Sequence, residues 1–339
     1  MRTTTLGRTG PTVSAIGLGC MGMSGMYGPA DRAESIATIH SALDAGVTLI
    51  DTGDFYGMGH NEMLIGEALK GVPRDSYQLS VKFGALRGPD GAWIGFDSSP
   101  RAIRTFLAYS LQRLGVDHID IYRPSRLDPV VPIEDTMGTL ADLVKEGYIR
   151  HIGLSEVGVE TLRRASAVHP VTDLQIEYSL LSRGIEDAIL PAARELGIAI
   201  TAYGVLSRGL ISGHWRKETA AAGDMRRMTP RFSGDNLDAN LRLVEALEQV
   251  AVTRSASVAQ VAIAWVSAQG CDIVPVVGSR RRDQLTEALG SLALALTPED
   301  LVAIERSVPR GAAAGERYAA AQMAQLDSEA IAPMPKERP

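Results

Sequence analysis

The feature that most constrains this chain is a regular alternation of short apolar runs with longer segments of helical period. Short apolar runs bounded by turn residues are typical of buried strands. Eight strands are predicted, at Ala15–Leu18, Thr48–Asp51, Gln78–Lys82, His118–Tyr122, Ile149–Leu154, Asp173–Ile176, Ile198–Ala202 and Ile273–Val276. Because strands that alternate with helices form parallel sheets, eight such units predict an α/β fold, a (β/α)8 TIM barrel of about 250 residues.

The amphipathic segments place a helix after each predicted strand. These helices are predicted at Asp31–Ala45, Glu62–Lys70, Pro100–Leu114, Ile133–Glu146, Val159–Val168, Ile185–Leu196, Leu237–Thr253 and Arg282–Leu289. Several stop before a glycine, such as Gly115 and Gly147, where a left-handed helix cap belongs. Two extra helices are predicted at Val258–Gln269 and Pro298–Ser307.

The remaining segments are predicted to decorate one barrel domain of residues 1–310. The Thr-rich and Val-containing runs around the turn Leu6–Pro11 predict an N-terminal hairpin. The segment Ser212–Asn236 is rich in Gly, Arg and Met and lacks periodicity, which is typical of functional lids or disordered loops. Residues 311–339 are predicted to be a partly disordered tail with one short helix at Tyr318–Leu326.

A doubly wound sheet is the main alternative fold. The run from Gly17 to Gly22 matches the dinucleotide fingerprint G-x-G-x-x-G directly after a predicted strand. That fingerprint requires a helix to open at its third glycine, whereas no helix is predicted before Asp31. The barrel is therefore preferred.

Charge and cysteine content narrow the class of function. The net charge of −6 argues against nucleic acid or an anionic membrane as the main partner. Cys20 and Cys271 form no disulfide framework or CxxC pattern, which favours a cytoplasmic location, as does the lack of an apolar signal core or a bilayer-spanning run. No metal is predicted, because metal-ligand spacing is missing among His60, His118, His151, His169 and His214.

Polar residues gather where the second to fourth predicted strands end. Asp51 ends the second strand, Tyr56 lies in its loop, Lys82 ends the third strand and Ser125 follows the fourth. These side chains should converge, because the active site of a barrel lies at the carboxyl ends of its strands. A buried lysine needs a partner, and Asp51 is the natural one. Each residue alone could be a turn cap or a surface side chain, but together they favour a phenolic proton donor tuned by an ammonium.

Seven motifs follow one another in a recognisable order between Thr5 and Ser307. They are Asp51–Gly57, Val81–Gly84, Asp120–Tyr122, Gly153–Ser155, Leu174–Ser179, Ala202–Gly204 and Val277–Arg280. In these motifs the chain resembles the aldo-keto reductases, and a resemblance of this length is highly specific for the fold. It implies reduction of a small-molecule aldehyde, ketone or quinone by NADPH. Tyr56 would donate the proton, Lys82 would lower the pKa of Tyr56, and Asp51 would anchor Lys82.

One position departs from the family pattern. After the fourth strand the family has a histidine that hydrogen-bonds the substrate oxygen, and Ser125 stands in its place here. A serine hydroxyl is short and is expected to need a bridging water. Losing one preorganised donor can cost about 10²–10³ in rate, so either another group supplies the donor or the preferred substrate differs. Arg123, which shares strand parity with Ser125, is the candidate; the alternative is that Arg123 is a surface arginine.

The resemblance also assigns cofactor contacts, position by position. They are Cys20, Met21, Asp51, Ser155, Glu156, Gln175, Tyr203, Gly204, Leu206, Ser207, Arg208, Gly278, Ser279, Arg280, Gln284 and Glu287. Tyr203 would stack on the nicotinamide, and Glu156 replaces an asparagine that the family uses at the carboxamide. The arginines from Arg280 to Arg282 at a helix start favour NADPH over NADH, unless they are simply a solvated helix end.

The rim loops predict the character of the substrate pocket. Phe55, Met58, Trp93 and Phe96 would line an apolar pocket for a medium-sized carbonyl, although Trp93 could instead pack its own loop. Because the histidine is missing, an NADP(H)-binding sensor or partner subunit with weak residual reductase activity remains an alternative. A lyase that uses Lys82 as a Schiff-base amine is a third possibility. Cys20 is interpreted as a buried filler rather than a reactive thiol.

Overall fold

The structure is a computed structural model that describes residues 1–215 and 224–330. Within them the strands are β1 (Thr3–Thr5), β2 (Thr12–Ser14), β3 (Gly17–Gly19), β4 (Leu49–Gly53), β5 (Gln78–Phe83), β6 (Ala85–Arg87), β7 (Trp93–Phe96), β8 (Ile119–Pro124), β9 (Ile149–Ser155), β10 (Asp173–Glu177), β11 (Ala199–Tyr203) and β12 (Ile273–Gly278). Strands β10, β11, β12, β3, β4, β5, β8 and β9 close into a parallel barrel in that order. The predicted (β/α)8 barrel is confirmed, and the doubly wound sheet is wrong.

Helices surround this barrel. They are α1 (Arg32–Asp44), α2 (His60–Ala68), α3 (Pro100–Leu114), α4 (Ile133–Glu146), α5 (Val159–Val168), α6 (Ile189–Leu196), α7 (Gly234–Thr253), α8 (Val258–Ala268), α9 (Arg282–Gly290), α10 (Pro298–Ser307) and α11 (Ala320–Met323). Helix α3 has its predicted bounds because Pro100 occupies its first turn and Gly115 ends it with a left-handed φ of 69°. Its buried stripe includes Ile103 and Leu107, which pack on the barrel core.

Two helices are much shorter than predicted. Helix α6 was expected from Ile185, but residues Gly184–Glu186 form a 3-10 turn and the α-helix starts at Ile189. Pro191 explains the late start, because a proline lacks an N–H and is tolerated only in the first turn of a helix. In the tail, α11 is shorter than the predicted Tyr318–Leu326. The predicted lid lies partly in residues 216–223, outside the described residues.

An antiparallel hairpin, β1 with β2, covers the amino-terminal end of the barrel. Leu6 at its turn is fully buried, and the Arg8 N–H donates to the Gly197 carbonyl at 2.8 Å, just before β11. Gly7 has a φ of +61°, and a Cβ there would lie 2.4 Å from the Thr172 carbonyl oxygen, so only glycine fits. The predicted N-terminal hairpin is therefore present, and it leaves the opposite end of the barrel for chemistry.

A second hairpin, β6 with β7, was not predicted. It follows β5 directly and rises beside the carboxyl end of the barrel, where Trp93 on β7 packs against Phe55 at 5.6 Å between ring centroids. No single helix among the described residues combines the length and apolar character needed to cross a membrane; α7 and α8 reach them only as a pair, bent by 86°.

Candidate active site

Asp51 and Lys82 form a buried ion pair at the carboxyl ends of β4 and β5. These strands are neighbours, with Asp51 opposite Ser80 and Gly53 opposite Lys82. The Lys82 Nζ lies 2.5 Å from Asp51 Oδ1 and donates to Gln175 Oε1 at 2.8 Å. The second carboxylate oxygen of Asp51 accepts from Gln175 Nε2 at 2.7 Å and from Ser80 Oγ at 2.8 Å. Every polar atom of this cluster is therefore held by another member, which fixes its geometry.

Tyr56 lies directly beside this pair. Its side chain is buried, with 7% exposure, and Lys82 Nζ is 5.3 Å from the centre of the phenol ring. Burial, and then the charge of Asp51, raise the pKa of Tyr56 well above its ordinary value, while the charge of Arg126 acts in the opposite direction. The net direction is thus opposite to the acidification expected from Lys82. Burial likewise lowers the pKa of Lys82, against the raising effect of Asp51.

Ser125 sits where the resemblance places it, one residue beyond β8. Its backbone N–H donates to the Phe83 carbonyl at 2.8 Å, which ties it to the end of β5. The side chain has 2% exposure, and its Oγ has no hydrogen-bond partner among the described residues. A buried hydroxyl without a hydrogen-bond partner is unusual in proteins. We therefore expect its partner to be a ligand or a water molecule.

Arg123 is placed differently from Ser125. It is completely buried inside the barrel, so the surface alternative is wrong. Its Nη2 lies 2.9 Å from Asp173 Oδ2, and its Nη1 is 3.9 Å from Asp51 Oδ2. Gly153 on the intervening strand makes room for the pair, since a Cβ there would lie 2.5 Å from Asp173 Oδ1 and 2.7 Å from Arg123 Nε. This engagement with Asp173 favours a structural role for Arg123.

Arg126 is a functional candidate that sequence reasoning missed. It follows Ser125, is half-buried, and its Nη1 donates to the Ser125 carbonyl at 2.6 Å. The cation identified as lowering the pKa of Tyr56 is Arg126. The signal in the sequence was its place beside the altered histidine position, but side-chain direction in a loop after a strand cannot be inferred from alternation.

The nicotinamide end of the predicted cofactor site lies across the barrel mouth from Tyr56. Ser155 and Gln175 face each other on β9 and β10, and Glu177 faces Tyr203 on β10 and β11. The Ser155 hydroxyl is buried without a partner among the described residues, whereas Gln175 already bonds Asp51 and Lys82. An open hydroxyl at this position fits the carboxamide contact that the resemblance assigns to it.

Glu156 is an ionised carboxylate in a strained backbone position. Its φ is +54°, a left-handed value that a non-glycine residue seldom adopts. Burial opposes its charge, yet Arg317 of the tail pairs with it and holds its pKa down at about 2. Two Arg317 nitrogens donate to it at 2.5 and 3.0 Å, and Tyr203 donates at 2.7 Å. Strain of this kind often marks functional sites.

The described part of the tail is packed over the barrel mouth. The phenol oxygens of Tyr318 and Tyr203 lie 2.9 Å apart, and the Arg208 guanidinium stacks on the Tyr318 ring at 4.2 Å. Arg317 adds its bonds to Glu156, and the Gly158 N–H donates to Asp327 Oδ2 at 2.7 Å. The tail thus contacts side chains predicted to bind the cofactor. Residues 331–339 lie outside the described residues.

The phosphate end of the predicted cofactor site is formed after β11 and β12. Ser207 and Arg208 have left-handed φ values of 46° and 58°, which turn the loop sharply after Gly204. The Ser279 hydroxyl is buried without a partner among the described residues. Arg280 donates to the backbone carbonyls of residues 27–29. With an open hydroxyl and a guanidinium side by side, these residues fit a phosphate group.

The neighbouring arginines are already paired with carboxylates. Arg281 bonds Asp283 and Arg282 bonds Glu34, each with a closest distance of 2.9 Å. Of the three, Arg280 is the one that forms no ion pair with a carboxylate among the described residues; its Nη1 donates to backbone carbonyls instead. Of the predicted adenine contacts, Gln284 accepts from the Arg280 N–H at 3.2 Å, and Glu287 bonds His214 at 3.0 Å.

Cys20 and Met21 begin the loop after β3. The Cys20 N–H donates to the Asp51 carbonyl at 2.9 Å, which sets this loop beside the end of β4. Its thiol is buried, and burial raises its pKa far above the ordinary value, so the thiol stays neutral. This favours the interpretation of Cys20 as a filler.

Aromatic side chains stand at the rim above Tyr56. Phe55 packs edge-on against the Tyr56 ring at 4.8 Å and against Trp93 at 5.6 Å. The guanidinium of Arg87 stacks on Trp93 at 4.3 Å, so Trp93 packs its own hairpin and also reaches the rim. Met58 is 55% exposed at the edge of the loop. Phe55 and Trp93 thus give this part of the rim an apolar face.

The chain is similar to known proteins over most of its length. Residues 15–308 match the model of the aldo/keto reductase family. A protein described as probable aldo-keto reductase 1 of Glycine max is 43% identical over 92% of this chain and 90% of its own. The glycerol dehydrogenase of Gluconobacter oxydans superposes with a TM-score of 0.82 at 30% identity, over 91% of this chain and 95% of its own. A thermostable aldo-keto reductase solved with the inhibitor epalrestat gives 0.72 at 25% identity, over 91% and 100%.

Proposed function

Because the chain belongs to the aldo/keto reductase family of carbonyl-reducing oxidoreductases, we propose that it reduces an aldehyde, ketone or quinone with NADPH, using Tyr56 as the proton donor. The observation that carries this proposal is the closed cluster of Asp51, Lys82 and Gln175 beneath the Tyr56 ring. A lysine ammonium held at this distance from a phenol favours the phenolate that remains after proton transfer.

Each of these residues has a separate role in the proposed reaction. The open hydroxyls of Ser155 and Ser279 and the guanidinium of Arg280 would hold NADPH. When bound, NADPH supplies the hydride that reduces the carbonyl carbon. Tyr56 donates its proton to the carbonyl oxygen as negative charge develops there, and Lys82 stabilises the phenolate. Asp51 keeps Lys82 in place and charged, since it opposes the effect of burial on the lysine pKa.

The substrate is expected to carry an apolar group next to its carbonyl. Phe55 and Trp93 form the rim above Tyr56, and aromatic side chains of this kind bind apolar substituents. Turnover of a series of aldehydes and ketones should therefore improve with apolar size. Activity confined to small charged carbonyls would contradict this pocket.

Replacement of the proton donor tests the proposal. Tyr56→Phe is expected to lower kcat by about 10²–10⁴ because it removes the acid, while NADPH binding, followed by quenching of protein fluorescence, stays unchanged. Tyr109→Phe, which removes the hydroxyl of an exposed tyrosine on α3, is the matched control and should retain full activity. Near-normal turnover by Tyr56→Phe would remove Tyr56 from the mechanism.

A second function is favoured by the unpartnered Ser125 hydroxyl and by the tail that contacts Tyr203 and Glu156. The protein would then be an NADP(H)-binding sensor or partner subunit with weak residual reductase activity. Tight NADPH binding without turnover across a wide carbonyl panel supports this alternative, whereas multiple turnover of any carbonyl supports the reductase.

A further inference from the structure

The reductase proposed above needs a hydrogen-bond donor for the carbonyl oxygen besides Tyr56, and the usual histidine is absent. Ser125 takes that position with a short side chain whose buried hydroxyl has no hydrogen-bond partner among the described residues. Arg123 is held inside the barrel by Asp173. A longer donor must therefore come from another residue at the mouth.

Arg126 is placed at the mouth by a rigid loop. Its Nη1 donates to the Ser125 carbonyl at 2.6 Å, and its Nη2 lies 3.5 Å from the Tyr318 hydroxyl. Asp128 fixes the loop that follows, because its carboxylate accepts the Ser98 and Val130 N–H groups, each at 2.8 Å. A donor held by such contacts is preorganised and needs little movement during reaction.

The Arg126 guanidinium has donors that no described residue accepts from, and it carries a strong charge. Arginine has five N–H donors, and these two contacts account for two of them. Burial works against its charge, but nearby Tyr203 and Tyr318 raise the pKa of Arg126 above its ordinary value. The charge of Arg126 acts on two residues of the proposed mechanism, because it lowers the pKa of both Tyr56 and Lys82. Arg126 is thus a permanent cation whose charge acts on the group that donates the proton.

We propose that Arg126 is the catalytic residue that replaces the missing histidine, donating a charge-assisted hydrogen bond to the carbonyl oxygen on which Tyr56 places its proton. Arg126 keeps all of its own protons: the proton that ends on the product oxygen comes from Tyr56. The guanidinium is long enough to act beyond Ser125, and a hydrogen bond from a cation strengthens as the oxygen becomes an anion. This proposal rests on the reductase function proposed above.

Measurements of kcat for the same substitution in two backgrounds, the wild type and Ser125→His, test the proposal. Arg126→Met keeps side-chain length but removes the donors and the charge, and is expected to lower kcat about 10²-fold with NADPH affinity unchanged. In a Ser125→His background, where histidine supplies the donor, the same substitution should cost less than about tenfold. Arg104→Met, which removes an exposed arginine that pairs with Glu146, is the matched control and should leave kcat unchanged.

Three results decide the question. An unchanged kcat in Arg126→Met overturns the inference. An equal loss in both backgrounds also overturns it, because a structural role for Arg126 would act alike in each. If the wild-type protein turns over no carbonyl, the reductase function and this inference fall together; an active wild type with an unaffected variant overturns only the inference.

A binding measurement gives a readout that is independent of turnover. Benzoate presents a carboxylate that resembles the developing oxyanion, and its binding to the protein without cofactor can be measured by calorimetry. Arg126→Met is expected to weaken benzoate binding about tenfold, the value of one hydrogen bond to a charged group, and Arg126→Lys is expected to weaken it less. Equal affinities for the wild type and Arg126→Met would overturn the inference.

Discussion

Asp54 lies three residues after Asp51, just past the end of β4, and its surroundings differ from those of Asp51. Its side chain is 8% exposed, and one carboxylate oxygen has no hydrogen-bond partner among the described residues. Burial first, and then the nearby charge of Glu62, raise the pKa of Asp54 to about 7. Asp51, by contrast, accepts hydrogen bonds from Ser80, Lys82 and Gln175, two positions before the end of β4.

Asp54→Asn is expected to change how stability depends on pH. Because the folded pKa of about 7 exceeds the ordinary 3.8, the contribution of Asp54 is complete below about pH 3.8 and is lost as pH rises toward 7. Above that pH the variant should be more stable than the wild type by up to about 4 kcal/mol. Urea unfolding from pH 4 to pH 8 measures this, and Asp238→Asn, at an exposed position of α7, is the control. Parallel pH profiles for Asp54→Asn and wild type would contradict the prediction.

The positions of single site residues could be predicted where the end of a strand fixes the direction of the side chain. Asp51 and Lys82 were predicted to pair, and they do, because neighbouring parallel strands bring those positions together. Arg126 was missed because it lies just past Pro124, where the alternation of side chains along β8 ends. Secondary-structure propensity and hydrophobic periodicity carry no information about the direction of such a loop side chain.

Among the elements, the tail has the contacts that were hardest to predict. Residues 311–339 were predicted to be a partly disordered tail with one short helix; its described part donates to Glu156 through Arg317 and accepts from Gly158 through Asp327. The Ala-rich sequence predicted only a helix, because the partners of Arg317 and Asp327 lie more than 150 residues earlier in the chain. Helices such as α4 and α5, whose signals are local, have their predicted bounds.

Arg317→Met is expected to lower the free energy of unfolding by about 3–5 kcal/mol, because it leaves the buried Glu156 carboxylate without its cation. The double variant with Glu156→Gln should lose less than the sum of the single variants. Chemical denaturation measures both. Additive losses would show that the two side chains act independently.

The pair of Arg317 and Glu156 also predicts how stability changes at acid pH. Since Arg317 holds the pKa of Glu156 at about 2, below its ordinary 4.5, the stabilisation is complete above about pH 4.5 and is lost as pH falls toward 2. Glu156→Gln should therefore flatten the acid limb of the stability curve, measured by denaturant titration at each pH. An acid limb identical to that of the wild type would refute this.

The loop between β12 and α9 is expected to select the cofactor. Arg280→Met should weaken NADPH binding by about tenfold or more and leave NADH binding nearly unchanged, because only NADPH carries the extra phosphate. Arg281→Met is a matched control, since that guanidinium already pairs with Asp283. Fluorescence titration with both cofactors measures the difference. A wild type with equal affinity for the two would overturn the preference.

At the scale of the whole molecule, the charges buried inside the barrel form pairs of opposite sign. Lys82 and Asp51 lie at the mouth, and Arg123 and Asp173 lie next to them inside the barrel. Gly153 lets the second pair meet across the intervening strand β9. The sequence indicated a closed barrel of this size, but not which charges would pair across a strand that separates them.

Asp173→Asn is expected to destabilise the protein by about 3–5 kcal/mol, because the buried Arg123 loses its closest carboxylate and keeps only Asp51, at 3.9 Å. Gly153→Ala should act on the same pair by crowding, since its Cβ would enter the space between the two side chains. Thermal and urea unfolding measure both. Wild-type stability in both variants would show that this pair contributes nothing to the fold.

The pairing of β3 with β12 has a consequence for synthesis on the ribosome. Residues 17–19 leave the ribosome early, but the strand they must join spans residues 273–278. Until that late segment emerges, the nascent chain carries an open sheet whose unpaired edge can bind other exposed strands. The growing polypeptide therefore carries an exposed strand edge while the roughly 250 residues between the two strands are added.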